Sequence, residues 1–206
     1  MVQEPNDRDR EHRLENLLPW FVAVGASGGE GLGDIKDLLA ALPLDLDAVV
    51  MVVLHRPWDS ASHLRDILDR VTPMSVLIAA QGDRLDAGSV YIGEPGEHLT
   101  LAARCLGTMT PDPAKLHRNR TVDLLFESVA ENGGSRTIGV VLSGSLDDGS
   151  RGLAAMHDAG GLTMVINPGN DRYRGMPENA IHYDGPIDAI GSAEEIAAAI
   201  IQAVLH

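Results

Sequence analysis

Phe21-Val22-Ala23-Val24-Gly25-Ala26-Ser27-Gly28-Gly29 reads as a buried strand that ends in a Gly-x-Ser-x-Gly turn, with a helix-like segment behind it. A serine on such a bend is lifted out of the sheet. Its small neighbours let the backbone turn and leave Oγ exposed. With an imidazole in reach, this serine is a nucleophile. Without one, the stretch is a glycine-rich turn.

Outward from this stretch, short strand-type runs alternate with helical segments. Strands are predicted at Trp20–Ala26, Ala48–Leu54, Ser75–Ala79, Ser89–Ile92, His98–Ala102, Thr137–Ser143 and Leu162–Ile166. The first, second and sixth are nearly continuous Val, Ile, Leu and Met, as expected of strands covered on both faces of a parallel sheet. Helices are predicted at Gly31–Leu42, Ser60–Val71, Val122–Asn132, Ser150–Ala159 and Ala193–Leu205. Ser192 and Glu195 form a capping box before the last, and Gly133-Gly134 stops the third. The stretch Asp83–Ala102 reads as two short strands around Gly93-Glu94-Pro95-Gly96, a hairpin. The expected fold is α/β, doubly wound, with a mainly parallel sheet and a small antiparallel hairpin excursion. Residues Arg104–Arg120 lack periodicity and read as a surface loop bordering the site.

The 206 residues suit one domain, and 44% apolar content supports a globular core. A formal charge of −14 argues against a nucleic-acid binder, which would carry a basic stripe, and would repel an anionic membrane surface. One cysteine, Cys105, excludes an internal disulfide and suits a reducing cytoplasm. No apolar run approaches the roughly 18 residues of a membrane span. Residues 1–19 read as a flexible charged arm and 20–206 as the domain.

In an open parallel sheet, ligands sit beyond the carboxyl ends of the strands. Three polar groups fall at such ends: Ser27, then His55 after Val49–Leu54, then Asp147 and Asp148 in the turn after Ile138–Ser143. A hydroxyl to attack, an imidazole to take and return its proton, and a carboxylate to hold the imidazole are the parts of a hydrolytic triad. Each also has a structural reading: an ordinary turn, a satisfied strand-end histidine, and a helix N-cap. Gly25…Gly33 matches neither GxGxxG nor GxxxxGK[ST], which leaves a phosphate cradle as an alternative, and no HExxH or clustered His/Cys spacing points to zinc. His12, His63 and His157 fall in the arm or on helix surfaces. His98, His117 and His182 lack a strand-end placement as favourable as that of His55.

Val24-Gly25-Ala26-Ser27-Gly28-Gly29, Leu54-His55-Arg56-Pro57 and Leu142-Ser143-Gly144-Ser145-Leu146-Asp147-Asp148-Gly149 together resemble the catalytic domain of the chemotaxis protein-glutamate methylesterases, the CheB family. Gly82-Asp83-Arg84-Leu85 with Val90-Tyr91-Ile92-Gly93, Pro95-Gly96-Glu97-His98-Leu99, Val122–Ala130 and Gly175-Met176-Pro177-Glu178-Asn179-Ala180 are similar to further motifs of that family, in the same order. The likeness runs over about residues 20–204.

The resemblance implies a doubly wound α/β domain with Ser27 as nucleophile, His55 as general base and acid, and Asp148 as the orienting carboxylate. Gly28 and Ser145 would offer oxyanion N–H groups. The implied activity is hydrolysis of glutamate γ-methyl esters, with possible glutamine deamidation, on cytoplasmic helices of methylated chemoreceptors. A separate receiver or methyltransferase protein is a further implied partner, since members usually carry an N-terminal receiver domain where this chain has an arm. Arg118 and Arg120, cations in an acidic chain, would help dock the acidic substrate. Two readings stand beside this one: a non-catalytic adaptor of a chemosensory-type pathway, and a hydrolase of another ester or amide. The resemblance implies no cofactor or metal, and four residues depart from its pattern: Gly28 stands where Thr or Ala is common, Ser145 and Leu146 replace Met and Gly, and Asp147 takes a position often held by Asn.

Overall fold

A computed structural model describes residues 18–56, 62–112, 120–145, 147–169, 175–183 and 185–206. The expected arm lies outside them except for its last two residues, Leu18 and Pro19. Seven strands form one sheet: β1 Trp20–Ser27, β2 Ala48–His55, β3 Ser75–Ile78, β4 Ser89–Ile92, β7 Thr137–Val141, β8 Leu162–Ile166 and β9 Ala189–Gly191. Their order is β3-β4-β2-β1-β7-β8-β9, and every pairing is parallel. The chain winds outward from β1 to one edge, then returns to β7 on the other side of β1. The crevice beyond β1 and β7 is therefore the topological switch point, where such sheets hold their ligands.

The helices are α1 Gly28–Ala41, α2 Leu64–Leu68, α3 Thr121–Asn132, α4 Ser150–Asp158, α5 Met176–Ile181 and α6 Ala193–Leu205. Alternation along β1 sorts its side chains into two cores. Val22, Val24 and Ala26 pack with Ile35, Leu38 and Leu39 of α1 and with Ile196 and Ile200 of α6. Phe21 and Ala23 face the other way, against Val122, Leu125, Phe126 and Val129 of α3 and Leu153 and Met156 of α4. A continuous Val/Ile/Met run is what such two-sided coverage requires. Burying an aliphatic side chain there contributes about 1.5–3 kcal/mol each.

Two expectations need correction. Ser89–Ile92 is not half of a hairpin with the strand after Pro95; it lies in the parallel sheet between β2 and β3. The antiparallel pair is instead β5 Glu97–Ala102 with β6 Leu106–Pro111, joined by a 3-10 turn at Ala103–Cys105. A four-residue strand-type run fits either pairing, and β2 claims Ser89–Ile92 because both its faces are covered. The supposed loop Arg104–Arg120 thus contains a strand, whose inward residues are Gly107 and Met109. Its remaining stretch, residues 113–119, lies outside the described residues. The helix expected over Ser60–Val71 is described only at Leu64–Leu68. Two short elements, α5 and β9, were not anticipated.

Candidate active site

β1 and β2 each run one residue further than their apolar runs, so Ser27 and His55 are themselves strand residues. They are register partners across the parallel ladder. Alternation puts both on the α3 side of the sheet, the side of Phe21, Ala23 and Gly25. Ser27 is also the N-cap of α1, but its side chain makes no capping bond. Among the described residues, nothing accepts from or donates to its Oγ. Its N–H donates to the Ser143 carbonyl at 3.0 Å.

His55 Nε2 lies 2.7 Å from Asp148 Oδ2, with the imidazole side chain 15% exposed and the carboxyl fully buried. The same Oδ2 accepts the Val122 N–H at 2.9 Å, and Oδ1 accepts the Asp123 N–H at 2.8 Å. These two donors belong to the first turn of α3, where helical N–H groups have no intrahelical acceptor. Asp148 therefore caps α3 rather than its own helix. The N-cap of α4 is Gly149, at φ +97°, a conformation glycine adopts without penalty. The reading of Asp147-Asp148-Gly149 as a plain N-cap for the helix that follows is thus corrected. Asp147 is exposed.

Close approach of α3 depends on Gly25. A Cβ there would fall 2.1 Å from Val122 Cγ1. The strand that carries Ser27 thus lets the helix that holds Asp148 come within reach of His55. Gly144 is a second such position. A Cβ on it would lie 2.7 Å from Ser27 Cβ and 2.4 Å from Met176 Sδ. Its carbonyl accepts the Met176 N–H at 2.9 Å, and the Ser143 N–H donates to Asp34 Oδ2 of α1 at 3.0 Å. The turn after β7 is thereby held against Ser27 from three directions.

Gly28 opens α1 at φ +71°, and Ser145 is exposed beside Gly144. Arg120 precedes α3, half-exposed, with Nε 3.7 Å from Asp123 and Nη2 3.9 Å from Glu127. Arg118 lies outside the described residues, as do His117 and Leu146. His98 is buried and pairs with Asp112. Arg56, next to His55, donates from Nη2 to the Gly93 carbonyl, and burial draws its guanidinium below the usual range. No group of three His, Cys, Asp or Glu side chains among the described residues is placed to share a metal ion.

Asp123 was missed as a site residue. It is 2% exposed, and its Oδ1 accepts the N–H groups of Gly149 at 3.0 Å and Gly152 at 2.9 Å. Burial pushes its carboxyl up from the ordinary range and the neighbouring Asp148 adds to that, while the Gly152 and Gly149 N–H groups pull it back. An acid in the buried stripe Val122, Leu125, Phe126, Val129 was the available signal; a helix's first turn so commonly holds an acid that it passed as ordinary.

The family model described as CheB methylesterase matches residues 22–200. A protein-glutamate methylesterase/protein-glutamine glutaminase 1 of Cupriavidus pinatubonensis is 37% identical over 176 residues, covering 85% of this chain and 49% of that one. Its namesake from Chromobacterium violaceum is 35% identical over 200 residues, covering 96% and 54%. The chain thus spans about half the length of the curated relatives it matches. The crystal structure of the Thermotoga maritima CheB methylesterase catalytic domain superposes with a TM-score of 0.80 at 26% identity, covering 89% of this chain and 98% of that one.

Proposed function

This chain belongs to the CheB methylesterase family, and on that premise we propose that it hydrolyses glutamate γ-methyl esters on chemoreceptor helices through Ser27, His55 and Asp148. The observation that carries the reading is the 2.7 Å bond from His55 Nε2 to Asp148 on a histidine that stands in register with Ser27. With Nε2 held by the carboxylate, Nδ1 is left as the base. It is the ring nitrogen nearer the main chain of β2, the strand paired with that of Ser27.

Ser27 Oγ attacks the ester carbonyl as its proton passes to His55 Nδ1. Asp148 holds the Nε2–H and supports the imidazolium. The oxyanion draws on N–H groups at Gly28 and in the Gly144-Ser145 turn. The tetrahedral intermediate collapses, the C–O bond to the methoxy group breaks, and methanol leaves with the proton from His55. Water then gives a proton to Nδ1 and attacks the acyl-enzyme; the C–O bond to Ser27 breaks, Oγ takes that proton back from Nδ1, and the glutamate side chain is released. Formation of the same acyl-enzyme from a glutamine side chain would expel ammonia in place of methanol, the second activity in the relatives' names. Arg118 and Arg120 would help dock an acidic receptor substrate.

The test is methanol release from a methylated receptor fragment. Turnover by the wild-type chain and none by Ser27→Ala supports the reading. A chain that binds the fragment without turnover points to an adaptor. A chain that cleaves only small esters points to another hydrolase.

A further inference from the structure

Asp148 reaches His55 from a turn rather than from a strand, so something must fix its approach. Its own oxygens are held by Val122 and Asp123 N–H groups. The return contact comes from the Asp123 side chain, which accepts the Gly149 N–H at 3.0 Å. That N–H belongs to the peptide unit joining Asp148 to Gly149. The unit is planar and includes the Asp148 Cα, so holding its N–H restrains where that Cα sits. The two bonds close a ring between residues 123 and 148–149, and the Gly152 N–H on the same Oδ1 anchors the ring to α4.

We infer that Asp123 is a positioning residue for the proposed hydrolysis, setting the angle at which Asp148 meets His55. The inference rests on the Ser27–His55–Asp148 reading. Several features make the clamp tight. Both acids are buried, at 2% and 1% exposure. A Cβ on Gly152 would lie 3.0 Å from the Asp123 Cα and 2.5 Å from Phe126 Cβ, so α3 and α4 pack tightly here. Gly149 has no side chain with which to cap its own helix, and an acid from the neighbouring helix takes that place. One carboxylate thus satisfies the start of α4 while the other satisfies the start of α3, and the second is the one bonded to His55.

The experiment compares Asp123→Ala and Asp123→Asn in the full chain with two readouts. One is kcat and KM for methanol release from a methylated receptor fragment. The other is the NMR signal of the His55 ring proton shared with Asp148, in histidine-labelled protein. Asp123→Ala should lower kcat by about 10–10²-fold, the size expected of a misplaced catalytic group. KM should change little, and the ring-proton signal should move upfield or broaden. Asp123→Asn should recover most of the loss in both readouts, because its amide oxygen can still accept from Gly149 and Gly152.

A variant Ala chain with a lowered melting temperature but wild-type kcat and ring proton would overturn the inference, leaving Asp123 as a helix cap only. If Asp123→Ala does not fold, Asp123→Ser takes its place, since a shorter hydroxyl cannot span both N–H groups. Loss of the ring-proton signal in Asp123→Asn as complete as in Ala or Ser would also overturn it. If the wild-type chain releases no methanol, the functional reading has failed. The ring proton then still decides whether Asp123 positions Asp148.

Discussion

Replacing Asp148 by Asn tests the site at its most connected atom. The carboxylate serves three donors: His55 Nε2 and the Val122 N–H on Oδ2, and the Asp123 N–H on Oδ1. An amide has one oxygen. If its NH2 takes the Oδ2 place, two donors lose their acceptor; if it takes the Oδ1 place, only Asp123 does. The second orientation therefore wins, and it costs about 1–3 kcal/mol for one buried unsatisfied N–H. The histidine tautomer survives in that orientation, but the charge facing the imidazolium is gone. At a separation of about 4 Å and an effective dielectric near 20, that charge is worth about 4 kcal/mol. The expected loss in kcat is thus about 10³-fold, since each 1.36 kcal/mol is tenfold. Methanol release gives kcat, and urea titration of the same samples gives stability. Asp147→Asn is the control, because Asp147 is exposed and its replacement restores a residue type common in the family. A value of kcat for Asp148→Asn within fivefold of wild type, or a dead Asp147→Asn, would refute the assignment.

Ser27→Ala should abolish turnover without unfolding, and adding His55→Gln to it should cost little more than either change alone, because nucleophile and base act as a unit; additive losses on methanol release would break the pair. Gly25→Ala should destabilise by about 1–3 kcal/mol through overpacking and lower kcat as well, because it drives Val122 and its N–H off Asp148. Val122→Ala in the same chain should return part of both, and no rescue in urea titration and assay would mean that α3 is not what Gly25 accommodates. Asp123 gives a pH test with a definite sign. Its folded-state pKa is raised, so the native state holds this proton to higher pH than the unfolded chain does. Its contribution to stability therefore falls as pH rises from the unfolded value near 3.9 through the raised one. The stability difference between wild type and Asp123→Asn should shift against the wild type across that window, with Asp148, His55 and Arg120 unchanged in both chains; a difference that stays flat from pH 4 to 7 would refute it.

The parallel core was readable because β1, β2 and β7 are covered on both faces, and double coverage leaves an unbroken apolar run. Ser27, His55 and Asp148 were readable as a set because each follows such a run, and a parallel sheet brings all carboxyl ends to one side. The pairing of Ser89–Ile92 was not readable. Four strand-type residues carry no mark of parallel or antiparallel partners, and the proline- and glycine-rich turn behind them suggested a hairpin. β6 was hidden because Gly107 holds one of its inward positions and Pro111 ends it. α5 is six residues with proline near its start, too short for a periodic signal. Asp123 could not be distinguished from an ordinary first-turn acid until α4 was seen to lie against it. The antiparallel pair and the clamp both depend on which elements become neighbours, which local pattern does not encode.

The register of β1 with β2 divides the site by resistance to thermal fluctuation. Ser27 and His55 are tied by main-chain ladder bonds in the middle of the sheet, the part of a fold that opens last. Asp148 depends on the frayable first turns of two helices. Opening those turns exposes only part of the core and so should need less free energy than global unfolding. On warming, the acid should therefore detach while serine and histidine keep their spacing. Hydrogen exchange should show the Val122, Asp123 and Gly149 amides released ahead of those of β1. Heat inactivation should then precede loss of the fold and reverse on cooling, giving the molecule an off state below its melting temperature.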